Sequence, residues 1–269
     1  MSHGSSVLVV AGFHRSGTSL VTEILSRAGL FVGEDLIGAN PSNPYGHFED
    51  REVVRLHDRL LADVGLTWHV ERPFTPVVRP ERWRQMAQIV DARRARHRRW
   101  GFKDPRNCFF LGPWKYLVPE MKVLAVYRDP RECTWSLERR HLRDLHRESG
   151  PADLHRLFWE RPDHGLRMWV AHNQALLDYA RAHREDTLVL PHTAITDGLP
   201  VVEAVNRGLG CDLDPVDNRE VFDPSVTRGR PGRQRVCSTG VVTEVLDTWR
   251  DLEELAGQDA ARHGAAHAV

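Results

Sequence analysis

The sequence alternates between short apolar runs and longer amphipathic segments. Four mainly apolar runs, at 7–11, 100–103, 123–127 and 187–190, have the length and continuity of buried parallel strands. Helical periodicity and end signals predict the helices, which lie at about 17–28, 49–64, 80–98, from 130 onward, 164–184, 198–209 and from 241 onward. This alternation predicts one α/β domain over residues 1–269, with a mostly parallel central sheet flanked by helices. Residues 1–6 and 258–269 are expected to be flexible tails.

Composition narrows the function classes. With 37 basic and 37 acidic residues the net charge is zero, which argues against nucleic-acid binding by bulk electrostatics. No apolar run approaches the roughly 18 residues of a membrane helix, and the first residues lack the form of a signal peptide. The four cysteines are far apart and show no zinc-binding spacing, so a cytoplasmic, metal-free protein is expected. Nothing in the pattern indicates an oligomeric state.

The basic residues are almost all arginines. Only Lys103, Lys115 and Lys122 are lysines, and the other 34 are arginines. A GC-rich coding sequence explains such a skew, and so does anion binding, because the planar guanidinium binds phosphate and sulfate in a forked geometry. Composition leaves both explanations open.

The first motif with chemical content is Gly12-Phe-His-Arg-Ser-Gly-Thr-Ser19, where the first predicted strand leads into the first predicted helix. The backbone N–H groups and the helix dipole at such a junction favour an anion. The candidate anion-binding residues of this loop are His14, Arg15, Ser16, Gly17, Thr18 and Ser19. The loop differs from a Walker A sequence because Thr18 occupies the lysine position. Nucleoside triphosphate chemistry is therefore disfavoured, while a phosphate cradle remains.

The second motif is Lys122-Val-Leu-Ala-Val-Tyr-Arg128-Asp-Pro, followed by Ser136 in the next predicted helix. Arg128 at the end of the strand and Ser136 on the helix could converge on one phosphate. A structural corner with a surface arginine is the alternative, since Pro130 suits a first helical turn.

These two motifs together resemble the sulfotransferases that use 3′-phosphoadenosine 5′-phosphosulfate (PAPS). Arg15-Ser-Gly-Thr-Ser resembles the family's 5′-phosphosulfate loop, and the segment from Arg128 to Ser136 resembles its 3′-phosphate motif. The resemblance implies a P-loop NTPase-like sulfotransferase fold and PAPS as donor. Adenosine 3′,5′-bisphosphate (PAP) would be the product, and no metal would be needed. Arg15 would stabilise the leaving group.

By the same resemblance, the acceptor is a hydroxyl of a small molecule, lipid or sugar, as for a bacterial enzyme of secondary metabolism. Cytosolic sulfotransferases place a catalytic histidine where this chain has Pro105, whereas Gly46-His-Phe-Glu49 resembles a segment of bacterial members. Glu49 is therefore the predicted base, with Glu34, His47 and Asp50 as alternatives. Lys103 is predicted to support the sulfate or the acceptor, or else to form a structural ion pair.

Two points remain open from the sequence. Arg228, in the Arg-rich segment 227–233, is predicted to assist at the 3′-phosphate, although a loop without that role is equally compatible. The alternative functions are a P-loop kinase and a nucleotide-binding protein without sulfotransferase activity. The acceptor's identity is not encoded in any pattern we identify.

Overall fold

The computed structural model describes residues 6–38, 46–222 and 237–263. Four strands form one sheet within these residues: β1 Ser6–Ala11, β2 Arg99–Lys103, β3 Lys122–Tyr127 and β4 Thr187–Pro191. Ten α-helices accompany them in the described chain: α1 Thr18–Arg27, α2 Arg51–Ala62, α3 Pro80–Arg96, α4 Asn107–Leu117, α5 Pro130–His146, α6 Ala152–Glu160, α7 His164–Ala182, α8 His192–Thr196, α9 Val201–Leu209 and α10 Thr239–His263. The predicted α/β class with a parallel sheet is confirmed.

The sheet is parallel throughout, in the order β2-β1-β3-β4. Val9 pairs with Phe102 of β2 on one side and with Val123 of β3 on the other. The chain therefore places β2 on one side of β1 and, later in the sequence, β3 on the other side. In sheets of this kind, ligands bind where the strand order reverses, outside the carboxyl ends of the strands. Here that position lies beyond the ends of β1 and β3.

Both faces of the sheet are buried, which explains why its strands are apolar without alternation. Val7 and Val9 belong to a large core shared with α2, α3, α4, α7 and α10, whereas Leu8 and Val10 belong to a smaller core with α1 and α9. No helix of the described residues is long and apolar enough to cross a membrane.

Three helices, α4, α6 and α8, were not predicted. Helix α4 is buried along Asn107–Leu111 and contains Pro113, so it shows neither an amphipathic pattern nor an uninterrupted helical sequence. Its helical form is explained by its packing between β1 and α7. Residues 258–263, expected to belong to a flexible tail, instead form the end of α10. Asp259 is buried there and accepts a hydrogen bond from the backbone N–H of Val189 at 2.8 Å.

The close approach of β1 to β2 depends on Gly101. A Cβ atom at this position would lie 1.7 Å from the carbonyl oxygen of Leu8, so the backbone would have to move. We expect G101A to lower the free energy of unfolding by about 3 kcal/mol, at the upper end of typical overpacking costs.

The matched control is G112A in α4, where a Cβ would meet nothing within 4 Å. Alanine is favoured over glycine inside helices, so G112A should raise stability by roughly 0.5–1 kcal/mol. Urea unfolding followed by circular dichroism measures both variants. Equal midpoints for the two would contradict this account of the β1–β2 contact.

Candidate functional site

The loop between β1 and α1 is a tight turn with two residues of left-handed backbone. Arg15 has a φ of 68° and Gly17 a φ of 89°, and the Ser16 N–H donates to the Phe13 carbonyl at 3.2 Å. A Cβ on Gly17 would lie 2.4 Å from Cδ2 of His192, at the end of β4. Glycine is therefore required at position 17 by both its backbone angle and its contact with His192.

Helix α1 begins at Thr18, and no side chain caps its first turn. Helices α2 and α5, by contrast, are capped by the carboxylates of Asp50 and Asp129. The first N–H groups of a helix have no partner within the helix, and its N-terminus attracts negative charge. The start of α1 therefore suits a phosphate or sulfate oxygen.

The side chains of the loop point in different directions. Ser16 is fully buried, with its Oγ 3.7 Å from Cys133 Sγ, so only its backbone faces the turn. The Ser19 hydroxyl donates to the carbonyl oxygen of His47 at 3.2 Å. The ring of His14 packs 4.9 Å from Trp68, and burial holds the pKa of His14 well below its usual value. Among the predicted loop residues, Arg15 brings the positive charge.

The two sequence motifs meet at Arg15. Its Nε donates to the Ser136 hydroxyl at 2.8 Å, and its carbonyl oxygen accepts from Arg128 Nη1 at 3.3 Å. Arg128 also forms an ion pair with Glu132 at 2.7 Å, and its own carbonyl accepts from Trp169 Nε1 at 3.1 Å. Residues 121 positions apart thus form one hydrogen-bonded cluster beyond the ends of β1 and β3.

Positive charge is concentrated in this cluster. Burial, together with the nearby charges of Arg140, Arg128 and Arg143, lowers the pKa of Arg15 to about 10. Arg15 is still a cation at neutral pH. Guanidinium groups this close repel one another, so an anion bound at Arg15 would offset part of that repulsion.

Glu49 and Lys103 form a buried ion pair beside the loop. Lys103 Nζ lies 2.7 Å from Glu49 Oε1, and Lys103 is only 1% exposed. His47 Nδ1 lies 3.9 Å from the same carboxylate oxygen. Because Ser19 donates to the backbone of His47, the pair is connected to the first turn of α1. The partner of Lys103 is thus Glu49, the predicted base.

The alternative bases are placed differently. Glu34 is exposed and pairs with Arg96 at 3.0 Å. Asp50 is buried, caps α2, and pairs with Arg93 at 2.7 Å. Burial lowers the pKa of His47 to about 4, which makes His47 neutral at physiological pH.

The sequence did not predict the buried polar network around Asp104, the residue after Lys103. Asp104 is fully buried, accepts from Arg106 Nη1 at 2.8 Å, and lies 3.0 Å from His57 Nδ1. Trp114 Nε1 donates to His57 Nε2 at 3.0 Å, so His57 carries its proton on Nδ1 and donates to Asp104. Burial alone would raise the pKa of Asp104, but Arg106 and His57 hold it well below its usual range. The network fixes the turn that follows Lys103.

The described residues do not test two of the predictions made from the sequence. Arg228 lies outside the described residues, so its predicted contact with the 3′-phosphate stays a prediction. The expectation of a metal-free site also stays a prediction, although the described residues contain no group of three or more His, Cys, Asp or Glu side chains that could hold a metal ion.

Comparison with known proteins gives one family match. The model of the sulfotransferase family matches residues 8–189, which include the loop after β1, the Glu49–Lys103 pair and Arg128. The crystal structure of a sulfotransferase from Alicyclobacillus acidocaldarius aligns over 93% of this chain and 95% of its own, with 16% sequence identity and a TM-score of 0.49. No curated protein sequence matches significantly.

Neutral histidines around the site make the fold sensitive to acid. His172 is fully buried, its Nδ1 donates to the Met168 carbonyl at 2.7 Å, and burial lowers its pKa to about 4. Below the ordinary value of 6.5, the unfolded chain binds the proton first. Stability contributed by His172 is therefore present above pH 6.5 and is lost as the pH falls through 4.

We expect H172F to show a shallower loss of unfolding free energy between pH 6.5 and 4, by about 1.4 kcal/mol for each unit of the pKa shift. Urea unfolding at stepped pH measures the slope. The control, H146Q, changes a histidine exposed at the end of α5 and should leave the slope unaltered. Identical slopes for wild type and H172F would contradict the assignment.

Proposed function

The chain belongs to the sulfotransferase family, and from this membership we propose that it transfers a sulfuryl group from PAPS to the hydroxyl of a small-molecule, lipid or sugar acceptor. The observation that carries the proposal is the cluster of Arg15, Ser136 and Arg128 at the reversal of strand order. It joins the two motifs that resemble the 5′-phosphosulfate and 3′-phosphate sites. A nucleotide carrying both groups would contact the whole cluster.

The donor would be held by backbone and guanidinium groups. The uncapped first turn of α1, with Arg15 beside it, suits the 5′-phosphosulfate. Arg128 and Ser136 suit the 3′-phosphate, where a guanidinium and a hydroxyl can donate to the same anion. Binding there would replace the present hydrogen bond between Arg15 and Ser136 with contacts to the donor.

The reaction requires a new bond from the acceptor oxygen to sulfur and loss of the bond from sulfur to the 5′-phosphate oxygen. We assign the acceptor's proton to Glu49, whose Oε1 is held by Lys103 at 2.7 Å. Arg15 would balance the charge left on the phosphate oxygen. Lys103 fixes the orientation of Glu49, and the buried Asp104 network fixes the turn after Lys103.

The donor assignment predicts a specific loss of nucleotide affinity. R128M removes the cation proposed for the 3′-phosphate, and we expect PAP to bind at least roughly tenfold more weakly, as for a lost charge-assisted hydrogen bond. R131M is the matched control, because Arg131 is exposed three residues later and pairs with Asp129. Calorimetric titration with PAP measures both.

Equal PAP affinities for R128M and R131M would contradict the donor site. The same titrations separate the alternative functions. Tighter binding of magnesium-ATP than of PAP by the wild type would favour a P-loop kinase. PAP binding with no sulfate transfer to any alcohol in a broad panel would favour a nucleotide-binding protein without the activity.

The base assignment predicts a loss of turnover without a loss of donor binding. We expect E49Q to lower kcat by roughly 10²–10⁴-fold, the usual contribution of a general base. Its affinity for PAP should remain within about threefold of wild type, a free-energy difference below 1 kcal/mol. Sulfated product is measured by mass spectrometry for each accepted alcohol.

E34Q is the matched control, since Glu34 is an alternative base but is exposed and paired with Arg96. Turnover should survive in E34Q. Loss in E34Q alone would transfer the role to Glu34, and full activity in both variants would exclude these two carboxylates as the base. Retained PAP binding shows that E49Q is folded even though Lys103 has lost its charged partner.

A further inference from the structure

One arginine near the site has no role in the proposed donor contacts. Ser136, Arg140 and Arg143 follow one another at spacings of four and three residues, which places them on one face of α5. Because Ser136 accepts a hydrogen bond from Arg15, this face is turned toward the loop. Arg140 lies about 6 Å further along the helix axis than Ser136.

Arg140 lies close enough to the loop for its positive charge to contribute to lowering the pKa of Arg15. Burial lowers the pKa of His47, two residues before Glu49, and the positive charge of Arg140 contributes to the same lowering. Burial and the same guanidinium lower the pKa of His14.

The neighbours of Arg140 agree with this placement. His141, the next residue, stacks on Trp68 with ring centroids 5.6 Å apart, and Trp68 packs 4.9 Å from His14 of the loop. Trp68 is partly exposed. Arg140 is thus next in sequence to a residue of an aromatic surface that borders the loop at His14.

Among the described residues, Arg140 forms only a long ion pair, with Asp144. Its Nε lies 3.6 Å from the Asp144 carboxylate, beyond hydrogen-bond distance, and both side chains are about 30% exposed. Lys103 and Arg128, by contrast, each hold a carboxylate at 2.7 Å. Arg140 therefore has guanidinium donors available for an anion near the loop.

We propose that Arg140 determines specificity by binding an anionic group of the acceptor. The acceptor class is then a hydroxyl compound that also carries a carboxylate, phosphate or sulfate. The inference rests on the proposed function, since it takes Glu49 as the base and Arg15 with Arg128 as the donor site. The hydroxyl would lie at Glu49 while the anionic group reaches Arg140, so one acceptor spans both.

The test compares R140M with R139M. Arg139 is the matched control because it lies on the same helix but is exposed, with its guanidinium 4.7 Å from the ring of Trp135. The probes are glucose against glucuronate, glucose 6-phosphate and glucose 6-sulfate, and methyl 4-hydroxybenzoate against 4-hydroxybenzoate. Each is titrated with and without PAP, and sulfate transfer from PAPS is followed by mass spectrometry.

We expect wild type and R139M to favour at least one anionic probe over its neutral parent by roughly tenfold. R140M should lose that preference, R140K should retain part of it, and PAP affinity should be the same in all four proteins. The arm that responds identifies the anion as carboxylate, phosphate or sulfate.

Three results would overturn the proposal: no anion preference in wild type, a preference that persists in R140M, or a loss of PAP affinity in R140M as large as that in R128M. The last would make Arg140 a donor-binding residue. Failure of wild type to bind PAP would instead contradict the proposed function, and the titrations without PAP would still test Arg140.

Discussion

Mutual repulsion among closely spaced arginines is the constraint on which this site depends. Arg15 lies next to Arg128, with Arg140 and Arg143 close enough to lower its pKa. Such a cluster persists only if other contacts hold each cation in place. Arg15 donates to a serine hydroxyl, while Arg128 donates to the Arg15 carbonyl and pairs with Glu132. These contacts fix the positions of the two guanidinium groups at the ends of β1 and β3.

The fold supplies these contacts by bringing two strand ends together. Because β3 pairs with β1 in parallel, the loop after β1 and the turn after β3 emerge at the same edge of the sheet. Trp169 on α7 donates to the carbonyl of Arg128 and so fixes the second turn from behind. His192 at the end of β4 lies against Gly17 and fixes the first. Neither residue carries charge into the site at neutral pH, yet both define where the charges lie.

The parts of this arrangement that could be predicted are those encoded locally. Four apolar runs predicted the four strands, and the residues from Gly12 to Ser19 predicted the loop that joins β1 to α1, because both signals lie within a few consecutive residues. The resemblance of the two motifs to one family is confirmed by the family match. The direct contact between Arg15 and Ser136 has no local signal, since it depends on the order of strands in the sheet.

What could not be predicted depends on long-range packing. The pairing of Lys103 with Glu49 joins residues 54 positions apart, and the sequence offered several acids as partners. The Asp104 network requires His57 and Trp114 from two different helices. Helix α4 is buried along Asn107–Leu111 and contains Pro113, so the usual periodicity is absent. In each case the prediction would have required knowing which residues, distant in the sequence, lie next to one another in the fold.

The chain has 37 basic and 37 acidic residues, so its net charge is zero. A local cluster of arginines is compatible with this total because acidic residues in other parts of the chain offset its charge. Many arginines form ion pairs on helix surfaces, as Arg27 does with Glu23 and Arg250 with Asp247. Exposed pairs of this kind contribute little to stability and cancel in the net charge. Arg15 differs because it is only partly exposed and donates a hydrogen bond to a neutral hydroxyl, that of Ser136. The overall composition therefore does not reveal the local concentration of arginines at the ends of β1 and β3.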